Sequence, residues 1–100
     1  MNQDAFVQAV VNTHAEGWIW KLVGEGSKQL RGTHRHGRTG YCPIDVVARV
    51  DSGLAPYRST EGNAANLGLS VGDRVEIQNA SDGAIGNPVL RQRLLAAAGL

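Results

Sequence analysis

The sequence is short of the residues that most often carry chemistry or build a core. It has a single cysteine, Cys42, so no disulfide framework can staple it internally. Its five aromatic residues are Phe6, Trp18, Trp20, Tyr41 and Tyr57. Much of the remaining apolar content is Ala and Val, so a thin core is expected, with Trp18 and Trp20 carrying a disproportionate share of it. No apolar run approaches the ~18 residues of a membrane span. The first residues, Met1-Asn2-Gln3-Asp4, lack the positively charged start of a secretory signal. A reducing, cytoplasmic setting without membrane contact is therefore expected. A strong field of one sign is missing too: ten Lys and Arg face nine Asp and Glu, for a net charge of +1.

What the chain does have is a hundred residues, enough for a single domain spanning 1–100. The pattern reads as mainly α: a small helical domain of four to five short helices with a two-stranded β ribbon near residues 18–31. Asn2 or Gln3 can start a first helix running to about His14, with Phe6, Val7, Val10 and Val11 on one stripe and Gly17 as its stop. Trp18 to Val23 is rich in β-formers, Gly24-Glu25-Gly26-Ser27 breaks it, and Lys28 to Arg31 returns as a second strand. Gly32 to Gly40 holds three glycines and no apolar residue, which predicts a loop.

A second helix starts at Cys42-Pro43, where Pro43 suits the first position and Asp45 the positive end of the dipole. Ile44, Val47 and Ala48 share its inner face, and Ser52-Gly53 ends it. Leu54 to Arg58 is a connection, and Ser59 caps a short helix closed by Gly68. Leu69 to Gly83 can be read two ways. Ser70 and Asp73 open a helix, yet Val75 and Ile77 alternate with Arg74, Glu76 and Gln78 as in a strand. Helix is preferred, because Asn79 to Gly83 offers no return strand. Asn87-Pro88 then opens the clearest helix, with Leu90, Leu94, Leu95 and Ala98 inward and Gly99-Leu100 as a hydrophobic C-terminal cap.

Candidate chemistry is sparse. His34, His36 and Cys42, with His14, are the right ligand types for zinc, but their spacing matches no finger and there is no second cysteine, so no metal is expected. Cys42 at a helix start could be an activated nucleophile; the simpler reading is a small buried cap residue. Gly24-Glu25-Gly26-Ser27-Lys28 fails the spacing of a phosphate-binding loop and reads as a hairpin turn. No catalytic residue and no cofactor is expected.

Charge, however, is unevenly placed. From Lys21 to Arg38, Lys21, Lys28, Arg31, Arg35 and Arg38 stand against Glu25 alone. Lys28, Arg31, His34, Arg35, His36 and Arg38 are therefore the candidate binding residues. They suit a non-enzymatic interaction module with a protein partner. The alternative is a small nucleic-acid-binding protein whose basic loop 28–38 neutralises phosphates, with Trp18, Trp20 and Tyr41 as stacking surfaces. The Leu90–Ala98 face could also bind a partner, but a thin domain needs those leucines inside.

Two resemblances accompany these readings. Gly40-Tyr41-Cys42-Pro43-Ile44-Asp45-Val46-Val47-Ala48, with Leu67-Gly68-Leu69-Ser70, Ala80-Ser81-Asp82-Gly83 and the helix from Asn87-Pro88, resembles short uncharacterised bacterial and phage proteins. These carry a glycine–cysteine–proline turn and a terminal helix led by Asn-Pro or Asp-Pro. This implies a helical fold and a phage or prophage origin, and the interaction module expected above would then act on a host protein. Leu67 to Ile77 also resembles the swapped-hairpin DNA-binding domains of antitoxins and transition-state regulators, which would imply a strand there and DNA contact. The basic strands expected just upstream in that family are missing here.

Overall fold

Local capping fixes where the helices begin. The Asn2 Oδ1 accepts from the Ala5 N–H at 2.8 Å and the Ser59 Oγ from Gly62 at 3.0 Å. Ser70 Oγ accepts from Asp73 at 3.1 Å and Asn87 Oδ1 from Leu90 at 3.0 Å. Each satisfies one of the orphan donors of a first helical turn. The structure is a computed structural model describing residues 1–53, 59–84 and 86–100. The expected connection at Leu54–Arg58 lies outside the described residues, as does the side chain of Arg38. In chain order the elements are α1 (Gln3–Asn12), β1 (Trp18–Val23), β2 (Gln29–His34), β3 (Arg38–Tyr41), α2 (Pro43–Ser52), α3 (Thr60–Asn66), α4 (Val71–Asp82) and α5 (Pro88–Ala97).

The expectation of a mainly α domain with a two-stranded ribbon is corrected on two counts. The fold is a mixture of five helices and a three-stranded antiparallel sheet in the order β1-β2-β3. Much of the expected loop Gly32–Gly40 is sheet, with only residues 35–37 left as the turn between β2 and β3. The reason is visible at Gly32 and His34. A Cβ on Gly32 would sit 2.9 Å from Val46 Cγ2 and 3.1 Å from Trp20 Cζ3, so the sheet meets the helices there through bare backbone. The His34 ring lies edge-on to Trp18, with centroids 5.3 Å apart. Inward contacts made by a glycine and a histidine leave no hydrophobic periodicity to read.

The β1–β2 register pairs Trp18 with His34, Trp20 with Gly32 and Leu22 with Leu30, placing all six on one face. That face is covered. Trp18 and Trp20 are each 4 % exposed, and Leu30 is fully buried among Phe6, Val10, Ile44, Val47, Ile77, Leu90 and Leu94. α2 and α4 pack against β2, α1 against α2 and α5, and α3 against α2. The other face is open at Ile19, 59 % exposed, and at Lys21.

The ambiguous 69–83 segment is helical: Ile77, Ala80 and Ser81 of α4 are buried, and Gly83 closes it in the left-handed conformation. The strand implied there by the swapped-hairpin resemblance is not formed. α5 ends as expected in backbone terms, with Gly99 N–H donating to Ala96 O at 3.1 Å and Leu100 N–H to Leu95 O at 2.8 Å. The Leu100 side chain is 52 % exposed. No described helix is long and apolar enough to cross a membrane.

Candidate functional site

The six candidate binding residues do not form one flexible loop. β2 carries Arg31 and His34 within a strand, so Lys28 and Arg35 flank its two ends, separated by roughly 20 Å at ~3.3 Å per strand residue. At the near end Arg91 donates from Nη1 to Ala80 O at 2.7 Å and from Nη2 to Lys28 O at 3.0 Å, tying the start of β2 to the end of α4. The Lys28 side chain itself is exposed. Arg31 turns away from this surface. Its Nη2 donates to Gln29 Oε1 at 2.7 Å and lies 3.6 Å from Asp82 Oδ1.

The remaining four gather at the β2–β3 turn. Gly37 N–H donates to His34 O at 2.8 Å, and Gly37 supplies the positive φ that the tight turn needs. The His36 backbone N–H donates to His34 Nδ1 at 3.2 Å. Nε2 of that ring must therefore carry the proton that it gives to Glu16 O, also at 3.2 Å. Arg35 N–H donates to Gly17 O at 3.0 Å, and its guanidinium lies where a Gly17 side chain would be. The turn is thus pinned to the loop after α1. Arg35 and His36 are both exposed, and neither side chain has an acidic partner among the described residues. Arg38 begins β3 beside them, paired with His34 through the backbone.

The stacking surfaces expected for nucleic acid are not available. Trp18 and Trp20 are core residues, and the half-buried Tyr41 lies edge-on to Trp18 at 5.6 Å. Nor do the expected metal-ligand types assemble: His34 and His36 are neighbours at 5.5 Å, Cys42 belongs to another site, and no group of three ligand-type side chains meets among the described residues.

Cys42 lines a cleft of about 200 Å³ to which β2, β3, α2, α3 and α4 all contribute, among the lining residues Arg31, Asp45, Thr60, Gln78 and Asp82. The thiol donates to Asp45 Oδ2 at 3.1 Å. The same carboxylate accepts from Thr60 Oγ1 at 3.3 Å and, on Oδ1, from Asn63 Nδ2 at 2.8 Å. Burial first, and then the negative charge of Asp45, push the Cys42 pKa up to about 12. A nucleophilic cysteine needs the opposite shift. Cys42 is a neutral donor here, and the start of α2 is held to α3 through it and Asp45.

The cleft was not legible beforehand. Asp45 reads in the sequence only as a helix-dipole residue, and Thr60, Gln78 and Asp82 stand in no ligand-binding motif. They converge from separate elements, and no spacing along the chain encodes that. No protein family, curated protein or solved structure matches this chain.

Proposed function

We propose that this chain is a non-enzymatic interaction module that presents its β2–β3 turn to an acidic surface on a partner protein. One observation carries the reading: Arg35 and His36 are exposed on a pinned turn with no acidic side chain answering them among the described residues. A preorganised cationic tip loses little entropy on binding and suits electrostatic steering toward a negative patch. The small size and the resemblance of residues 40–100 support a phage-encoded product acting on a host protein. The free, protonated Cys42 accords with a reducing, cytoplasmic setting. Capture from nuclease-treated host lysate, repeated with the Arg35→Glu/His36→Glu variant, tests this. Specific capture by the native chain and its loss in a variant of unchanged melting temperature are expected. A variant that captures as well as the native chain defeats the proposal.

A second reading, contact with nucleic acid, is favoured by the open outer face of the sheet, which runs from the tip along Ile19 to Lys21. With both tryptophans buried, such binding would rest on phosphate contacts alone. Weak duplex binding is then expected, with a steep salt dependence that lessens by about one unit of log–log slope per cation removed. No binding at low salt, or a slope unchanged in Arg35→Glu, eliminates it.

A further inference from the structure

We propose that the cleft bounded by β2, α2 and α4 binds a small zwitterion of the α-amino-acid type, with Arg31 taking its carboxylate and Asp82 and Asp45 facing its ammonium. The site is separate from the cationic turn and does not depend on the function proposed for it.

Arg31 is the reason to expect a ligand. Its side chain is only 20 % exposed, and it lines the cleft. Of its donors, Nη2 serves Gln29 Oε1 at 2.7 Å. Asp82 Oδ1, at 3.6 Å, neutralises charge from beyond hydrogen-bond distance. Nε and Nη1 have no acceptor among the described residues. A guanidinium offers five N–H donors in a planar fork that fits a carboxylate through two parallel bonds. These donors are not sealed from solvent, so water in the cleft, or the carboxylate of a ligand, can complete the fork.

Size and charge narrow the class. At ~30 Å³ per water, a cleft of about 200 Å³ holds roughly seven waters. That is the scale of an amino acid, and below the ~300 Å³ at which pockets for drug-sized ligands begin. Two carboxylates, Asp45 and Asp82, and one guanidinium line it. A ligand that is only an anion meets a net negative wall, and a bare amine leaves Arg31 unanswered. A carboxylate joined to an ammonium answers both. Gln78 adds direction: its Oε1 is taken by Arg74 at 2.7 Å, which leaves its amide N–H groups as donors. The Ser81 hydroxyl proton goes to Ile77 O at 2.7 Å, leaving its oxygen as an acceptor.

Isothermal titration of the full chain with a panel of free L-amino acids tests the proposal, with acetate, inorganic phosphate and ethylamine as controls. At least one amino acid should bind once per chain. Acetate, phosphate and ethylamine should each bind at least about tenfold more weakly, as loss of one charge-assisted contact predicts. Arg31→Gln and Asp82→Asn should each weaken the amino acid by at least about the same factor, while Lys21→Gln on the open sheet face leaves it unchanged. In the native chain the Arg31 Nε–H resonance should shift on titration and that of Arg35 should not, a readout that holds even if a variant fails to fold. Absence of binding by every amino acid at millimolar concentration overturns the proposal. So does binding of acetate or phosphate as tight as that of the amino acids, or an Arg31 resonance that does not move.

Discussion

The indole Nε1–H of Trp20 donates to Thr13 Oγ1 at 2.8 Å, deep in the core. Thr13 in turn gives its hydroxyl proton to Val10 O at 2.6 Å, so a single hydroxyl ties the end of α1 to the sheet. Thr13→Val keeps the shape and removes the acceptor, leaving a buried indole N–H unsatisfied. A loss of about 1–3 kcal/mol is expected in urea denaturation. Thr13→Ser, which keeps the oxygen, should retain most of the stability.

Gly32 is the point at which the sheet touches α2. With Val46 Cγ2 at 2.9 Å, Trp20 Cζ3 at 3.1 Å and Trp18 Cε3 at 3.3 Å from where a Cβ would stand, Gly32→Ala overfills the core. Three neighbours would have to give way, two of them rigid indoles. A cost of about 1–3 kcal/mol is expected, seen as a lower melting temperature with a perturbed tryptophan signal in the near-ultraviolet dichroism.

The Cys42 thiol makes stability depend on pH in a particular window. Its pKa rises from an ordinary 9.0 to about 12 in the folded chain, through burial and the Asp45 charge. The contribution is fully present below pH 9.0 and is lost as pH rises toward about 12, because only the unfolded chain releases the proton in that range. Cys42→Ser does not titrate there. Stability of the native chain should therefore fall relative to Cys42→Ser on raising the pH through this window. Iodoacetamide at pH 8 should label the native thiol far more slowly than the denatured one.

Asp45 gathers Cys42, Thr60 and Asn63 onto one carboxylate. Asn63 is 1 % exposed, and its Oδ1 already lacks a partner among the described residues. Asp45→Ala strands its amide donor as well. A loss of about 1–3 kcal/mol is expected, with hydrogen exchange quickening first across α3, the seven-residue helix that this contact holds to α2.

Most of the helical framework was legible in the chain because it is written locally. Asn2, Ser59, Ser70 and Asn87 each cap the helix that follows, and Pro43, Gly53 and Gly83 stand where a helix begins or stops. Each acts on backbone groups within about four residues, a range over which sequence order and spatial neighbourhood coincide. The alternation of Trp18 and Trp20 likewise announced β1.

What lay between Gly32 and Gly40 was not legible. That stretch reads as a polar loop, yet it completes the sheet, because Gly32 contributes by having no side chain and His34 by setting its ring edge-on to Trp18. The same holds for the candidate sites. The sequence by itself determined that the cations cluster in one stretch and that Cys42-Pro43 opens a helix. Only the tertiary structure decided that Arg31 turns to Asp82 in a cleft while Arg35 and His36 are exposed, and that Cys42 is a protonated donor to Asp45. Charge and burial are properties of neighbours in space. Here those neighbours come from elements dozens of residues apart, brought together by a core whose inward contacts are partly glycine and histidine.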